Sequence, residues 1–486
     1  MLASPELADI KPLLQRLKKD TGVELDIDFT ATADLSGSLG SYDLAWPASD
    51  RSYLLRLSAE RSGAAKPEST AVMRSPVVVG LTPAAARSVA SDKPLTWADI
   101  ADAAADGTVR FGMADPRRSD TGRAALVGVA TAAAGTGDAL RREDVSCDRL
   151  RGFRSGQTLT GASSHELIDT YVRRQGAANA LIAHESELLS LNASHKLRQP
   201  LRIVHPADGM VLSDFPLMLL DQRQHKAYRK VVDWLRRDDV QEELARTTWR
   251  RPVGGDVPRP RELRAPIGNA LSYPDELAVV QRVIDSYGDP GRRRSGDHVV
   301  FLLDFSTSMR GARMADLRRA FTGLSGADPS TTGKFTRFYR GERLTVVRFA
   351  GRVLQERTVT VRGEEDLRRL NSFVSKGDFA EDTAVWSALV RGYGIAADAA
   401  RGEPGRPLSI VLMTDGENNT GMSYGEFARR HARLDGAARS VPTFPVHFGE
   451  ADARELRRAA DATGGRVVDA NSSSLSQAFK EIRGCR

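Results

Sequence analysis

FLLDFSTSMRG, residues 301–311, ends an apolar run with an aspartate and places two serines at alternate positions behind it. A short, continuous apolar run bounded by polar residues reads as a strand buried on both faces. A carboxylate and two hydroxyls at its mouth either cap the next helix or hold something. The neighbouring sequence decides between these. After a polar break at 289–298 the pattern alternates: strand 299–304, helix 312–324, strand 343–350, helices 364–374 and 382–400, strand 408–414, helix 424–438, strand 442–448, helix 452–463, strand 465–468 and helix 474–483. Such alternation predicts a largely parallel, doubly wound α/β sheet.

In doubly wound sheets, ligands bind beyond the carboxyl ends of the strands. Asp304, Ser306 and Ser308 stand at one such end, and LSIVLMTDGENN brings Asp415 to another. Between them, KGDFAEDTAVWSAL opens a helix at Thr383. The set holds two carboxylates and three hydroxyls, with no imidazole or thiolate. All-oxygen donors disfavour zinc and suit Mg2+, with Ca2+ or Mn2+ as alternatives. With only two charged donors, a coordination position stays open for a carboxylate from another molecule. A single Asp-x-Ser-x-Ser is equally an N-cap; three elements converging favour a metal.

Asp304-Phe305-Ser306-Thr307-Ser308, Thr383 and Thr414-Asp415-Gly416 resemble, in order and spacing, the three elements of the von Willebrand factor type A (VWA) domain. The resemblance covers about residues 296–486. It implies a Rossmann-like sheet flanked by helices and a metal-ion-dependent adhesion site at Asp304, Ser306, Ser308, Thr383 and Asp415. The chain departs from the family where Glu381-Asp382 precede Thr383, a place commonly held by two glycines.

The first half alternates too. Strand-like runs are VELDIDFT (23–30), YDLAWPAS (42–49), SPVVVGL (75–81) and TVRFGMADP (108–116); TGRAALVGVATAAAG (121–135) is an alanine-rich helix, and 225–247 is a long amphipathic one. Ser119, Thr121 and Gly122 stand at a helix start, where they either simply cap the helix or present free N–H groups that favour an anion. In order, the pieces LASPELADIKPLLQRLKKDTG, YDLAWPASD, SPVVVGL, FGMADPRRSDTG and RIVHPADGMVLSDFPLMLL resemble a type 2 periplasmic solute-binding protein over about residues 1–250. That implies two α/β lobes, with the chain crossing near 78–84 and returning near 200–210. It also implies a ligand cleft, small-molecule or anionic, lined by Ser4, Trp46, Ser49, Ser119, Thr121, Gly122 and Glu185. Residues 251–295 read as a connector with one helix, and the first strand looks cut short, as if a targeting or anchoring segment lay upstream of Met1.

The 486 residues carry a net charge of +7 and are 41% hydrophobic, ordinary for a chain of two or three domains. No aromatic-interleaved basic stripe or zinc-finger spacing supports nucleic-acid binding. No run of about 18 apolar residues is present to span a membrane. The two cysteines, Cys147 and Cys485, either are isolated thiols or form a disulfide bridge, which would place the protein in an oxidising compartment. The eight histidines form no H-E-x-x-H, and no G-x-S-x-G is present. GADPSTTGKFT (326–336) has six residues between its glycines where a phosphate loop needs four, so it reads as a plain loop. The whole resembles actinobacterial-style fusions of a substrate-binding and a VWA domain. The expectation is a non-enzymatic, extracellular or envelope-anchored binding protein that takes an acidic protein partner through the metal. An intracellular chelatase-type subunit working with an ATPase is the alternative; a magnesium-dependent hydrolase is a weaker one.

Overall fold

The computed structural model describes residues 1–30, 41–59, 66–135, 137–145, 150–287, 296–415, 417–447, 453–470 and 474–484. Cys147 and Cys485, and with them the question of a bridge, lie outside the described residues. The chain forms two units, the first mainly through 1–290 and the second mainly through 291–486.

The first unit contains two sheets. Its strands are β1 (Leu2–Ala3), β2 (Asp28–Phe29), β3 (Leu44–Trp46), β4 (Glu68–Ala71), β5 (Ser75–Leu81), β6 (Phe111–Met113), β7 (Gln157–Leu159), β8 (Ala180–His184), β9 (Arg202–Val204), β10 (Leu212–Ser213) and β11 (Pro216–Leu219). One sheet has the order β2-β1-β3-β11-β4; the other has β10-β5-β8-β6-β7, with β9 also on β5. β1 is short but pairs in parallel with both β2 and β3. The chain changes sheets between β4 and β5 and again between β10 and β11, so the crossings fall near 72–74 and 214–215. They differ from the expected positions because the whole of SPVVVGL is committed to the second sheet, buried along its length. VELDIDFT yields only Asp28–Phe29 as strand. The long amphipathic helix is two helices, His225–Leu235 and Asp238–Thr248.

Residues 251–287 pack on this first unit. Arg251 exchanges backbone hydrogen bonds with Arg74, at 2.8 and 2.7 Å, and Leu271 donates to the Met210 carbonyl at 2.8 Å. The helix Leu277–Tyr287 buries Val279, Val280, Val283 and Ile284 on one face.

The second unit is one six-stranded sheet of β12 (His298–Asp304), β13 (Arg343–Phe349), β14 (Val353–Thr360), β15 (Leu408–Thr414), β16 (Thr443–His447) and β17 (Val468–Asp469). The order is β14-β13-β12-β15-β16-β17, and only β14, an antiparallel edge strand, departs from parallel pairing. Alternate side chains of β12 enter different cores: Val299, Phe301 and Leu303 on one face, Val300 and Leu302 on the other. Phe301 is met edge-on by Phe321, Phe338 and Phe479, with ring centroids 5.0, 6.0 and 5.9 Å away. Burial of this kind is worth about 1.5–3 kcal/mol per large side chain, more with edge-to-face rings. The segment read as a plain loop contains a short helix, Thr331–Thr336, capped by Ser330.

Candidate functional site

From β12 the chain proceeds to β13 on one side, and later to β15 on the other. The crevice at the carboxyl ends of β12 and β15 is therefore the switch point of the sheet. β12 delivers Asp304 there; β15, paired Leu303 to Met413, delivers Thr414 and Asp415. Asp304 Oδ1 accepts from the Ser306 backbone N–H at 2.8 Å, and Oδ2 from the Thr414 hydroxyl at 2.6 Å. The Ser306 and Ser308 hydroxyls lie 2.9 Å apart, and Ser308 donates to Asp415 Oδ1 at 2.9 Å. Asp415 Oδ2 is engaged by the guanidinium of Arg313. Asp304, Ser306 and Asp415 are buried, whereas Ser308 is exposed.

Thr383 is brought to this rim by its backbone. Ala380 N–H donates to the Phe305 carbonyl at 3.1 Å, while the Thr383 N–H donates to Asn419 Oδ1 at 2.8 Å. The Asn419 N–H returns to the Thr383 carbonyl at 3.1 Å. The loop is thus stitched to the segments that follow both β12 and β15. Gly377 lets it approach: a Cβ there would lie 2.3 Å from the Phe305 ring. Asp382 has φ 63°, a left-handed conformation that glycine adopts freely. Asp382 therefore holds this turn at a steric cost that glycine would not incur.

Burial pushes the Asp304 carboxyl up to about 6; hydrogen bonds from Thr414 and Ser306 oppose this, and the Asp415 charge adds to it. The donor set fits a hard divalent ion, being oxygen throughout. The Thr383 hydroxyl, in a residue only 4% exposed, has no hydrogen-bond partner among the described residues. Among the described residues no cluster of three or more His, Cys, Asp or Glu could hold a metal, so a soft-donor centre has no candidate there.

In the first unit the expected cleft residues separate into groups. Ser4 and Thr121 do meet, on a group the sequence reading missed: the carboxylate of Glu6. Its Oε1 accepts from the Thr121 hydroxyl at 3.1 Å and the Ser164 hydroxyl at 3.0 Å, and Oε2 is engaged by Ser4. Thr121 also lies 3.2 Å from His184 Nδ1, and His184 Nε2 lies 2.9 Å from the Ser213 hydroxyl. Glu6 thus reaches from the first-sheet lobe into helix starts of the second. Burial, then the Glu187 charge, push the Glu6 carboxyl above its ordinary range, with His184 opposing. The position of Glu6 just beyond β1, at a strand's carboxyl end, was the available signal.

The remaining residues have structural roles. Trp46 is core, its indole N–H donating to the Phe215 carbonyl at 3.0 Å. Ser49 accepts from the Arg51 N–H at 3.3 Å at the start of helix Arg51–Ala59. Ser119 caps helix Asp120–Ala134 through the Gly122 N–H at 3.2 Å. Gly122 is a close approach, since a Cβ would lie 2.2 Å from the Ala114 carbonyl oxygen. Glu185, expected to face a ligand, is instead 1% exposed in a paired buried network. Arg251 contacts both its oxygens, at 2.6 and 2.9 Å, and His205 contacts it at 2.7 Å. Burial works against the charged form of Glu185, but bonds from His205 and Arg251 bring its pKa below the ordinary value.

Fold and site together define a two-lobed binding unit joined to a doubly wound domain with an oxygen-donor crevice. Residues 3–250 match the family described as bacterial extracellular solute-binding protein, and the chain belongs to that family. Residues 298–482 match the von Willebrand factor type A domain. No curated protein matches the chain. Among solved structures it is similar to the periplasmic binding protein AfuA from Actinobacillus pleuropneumoniae, at 13% identity and TM-score 0.46, covering 59% of this chain and 96% of that one. It is similar to the ferric binding protein from Campylobacter jejuni, at 14% identity and TM-score 0.45, covering 60% and 99%. Its likeness to a von Willebrand factor type A protein from Catenulispora acidiphila has 20% identity and TM-score 0.30, covering 39% and 42%.

Proposed function

We propose that the chain is a non-enzymatic binding protein that works outside the cytoplasm, extracellular or at the cell envelope. In this reading the VWA domain binds Mg2+ through Asp304, Ser306, Ser308, Thr383 and Asp415, and through the metal an acidic side chain of a protein partner. The observation that carries it is the hydrogen-bonded run Asp304–Ser306–Ser308–Asp415 at the switch point, made only of hard oxygens. The metal would supply positive charge and an open coordination position; the chain's own groups hold the carboxylates in place and keep water from Asp304. The solute-binding unit holds or senses a ligand, which must reach hydroxyls that Glu6 engages. Among the described residues no helix is long and apolar enough to cross a membrane. The test is thermal melting with and without Mg2+. The parent is expected to gain stability and Asp304→Ala to gain none; equal gains would overturn the metal assignment.

A further inference from the structure

Both oxygens of Asp415 are taken. Ser308 holds Oδ1, while Oδ2 pairs with Arg313, the second residue of the helix Ala312–Thr322. The Asp415 side chain is 0% exposed and that of Arg313 is 39% exposed, so the guanidinium lies on the solvent side of a buried carboxylate. The same Nη1 also reaches the Ser308 carbonyl at 3.4 Å, which places it over the serine loop. Arginine is charged at every accessible pH and strongly prefers a carboxylate partner. It therefore supplies at Asp415 the positive charge that a divalent ion would bring. Two cations on one buried carboxylate oxygen repel strongly where water is scarce.

We propose that Arg313 is a built-in counter-cation that competes with the divalent ion for Asp415. This rests on the metal reading above and adds its regulation. Without metal, Arg313 neutralises Asp415 and stabilises the crevice. Metal binding displaces it, so metal affinity is weaker than the five oxygen donors alone would give. The displaced guanidinium then stands at the rim near Arg310, whose own guanidinium lies 5.3 Å from the Phe379 ring centroid. There it is free to pair with the carboxylate of an arriving partner, so the metal-loaded form is also the form with a free arginine.

The experiment is a Mn2+ and Mg2+ titration of the full chain by calorimetry, for the parent, Arg313→Gln, Arg313→Lys and Asp304→Ala. Melting in EDTA is measured on the same samples. Arg313→Gln is expected to bind metal about tenfold more tightly than the parent, equivalent to about 1.4 kcal/mol. In EDTA it is expected to melt lower, because Asp415 has lost its partner. Arg313→Lys keeps the charge and should stay near the parent. A merely structural role, or a folding defect, would lower stability and affinity together. Arg313→Gln binding no more tightly than a parent that does bind, with Asp304→Ala silent, overturns the competition and leaves the metal site standing. Absence of saturable binding in both parent and Arg313→Gln overturns the metal reading, and the inference with it.

Discussion

Replacing Asp304 with asparagine should make the metal-free protein more stable. The Asp304 carboxyl titrates at about 6 in the fold against 3.8 as an ordinary aspartate, chiefly because it is buried. The folded state therefore holds a proton more tightly than the unfolded chain. The Asp304 contribution to stability falls as pH rises from about 4 to about 6 and stays a penalty above that. The two titration positions put the penalty at neutral pH at about 3 kcal/mol. Asparagine removes the charge yet keeps the hydrogen-bond geometry. Its oxygen can still accept from the Ser306 N–H, and the Thr414 hydroxyl can turn to accept from the amide. In EDTA at pH 7.5, Asp304→Asn should melt above the parent, by up to roughly 6–12 °C for a domain of this size. The gap should shrink as pH is lowered through 6 towards 4. Excess Mg2+ should raise the parent alone and narrow or reverse the order. Differential scanning calorimetry across pH 4–8 makes the comparison. Metal-free Asp304→Asn melting below the parent, with parallel pH profiles, would refute the claim that Asp304 is a charge held in a poorly hydrated place.

Arg251→Met leaves the buried Glu185 carboxylate without its main counter-ion and should cost about 3–5 kcal/mol in a urea melt of the first unit, whereas a cost under about 1 would mean that His205 suffices. His298, pushed down to about 4 by burial and by Arg343 and Arg406, stays neutral in the fold while the unfolded chain takes up a proton. Its own contribution to the second unit should therefore fall by about 3 kcal/mol as pH drops from about 6.5 to 4, opposite in sign to that of Asp304, and the difference between the His298→Asn and parent profiles should show that loss. Asp382→Gly relieves a left-handed backbone position and should raise the melting temperature, by about 1 kcal/mol of stability, with Mg2+ binding retained.

The doubly wound domain was legible because its signals are local and reinforce one another. β12 and β15 are runs of buried residues that end in the residues that matter, and parallel pairing follows from the helices between them. Asp304, Ser306, Ser308 and Asp415 lie within two residues of a strand end or of each other along those segments, so their meeting follows from strand adjacency alone. Arg313 was not legible, because its contact depends on a rotamer reaching from a helix start to a different strand. The first unit was legible in outline and poorly legible at its cleft. Trp46 and Glu185 have the residue types of ligand contacts, but packing and ion pairing claim them, and both depend on partners more than 60 residues away. Glu6 was missed for the same reason: apart from Ser4, its hydroxyl partners come from helices well over 100 positions downstream.

The pairing of Arg251 with Glu185 has a consequence for where the first unit ends. Family similarity stops at residue 250, one position short of the arginine that neutralises Glu185. A fragment trimmed to that similarity would strand an acid deep in its interior and expose the surface that Val279, Val280 and Val283 of the following helix cover. A fragment extended through Tyr287 keeps both. The hereditary unit and the folding unit thus have different edges, and the stretch between them behaves as a fitted lid-piece of the binding domain rather than as slack between two beads.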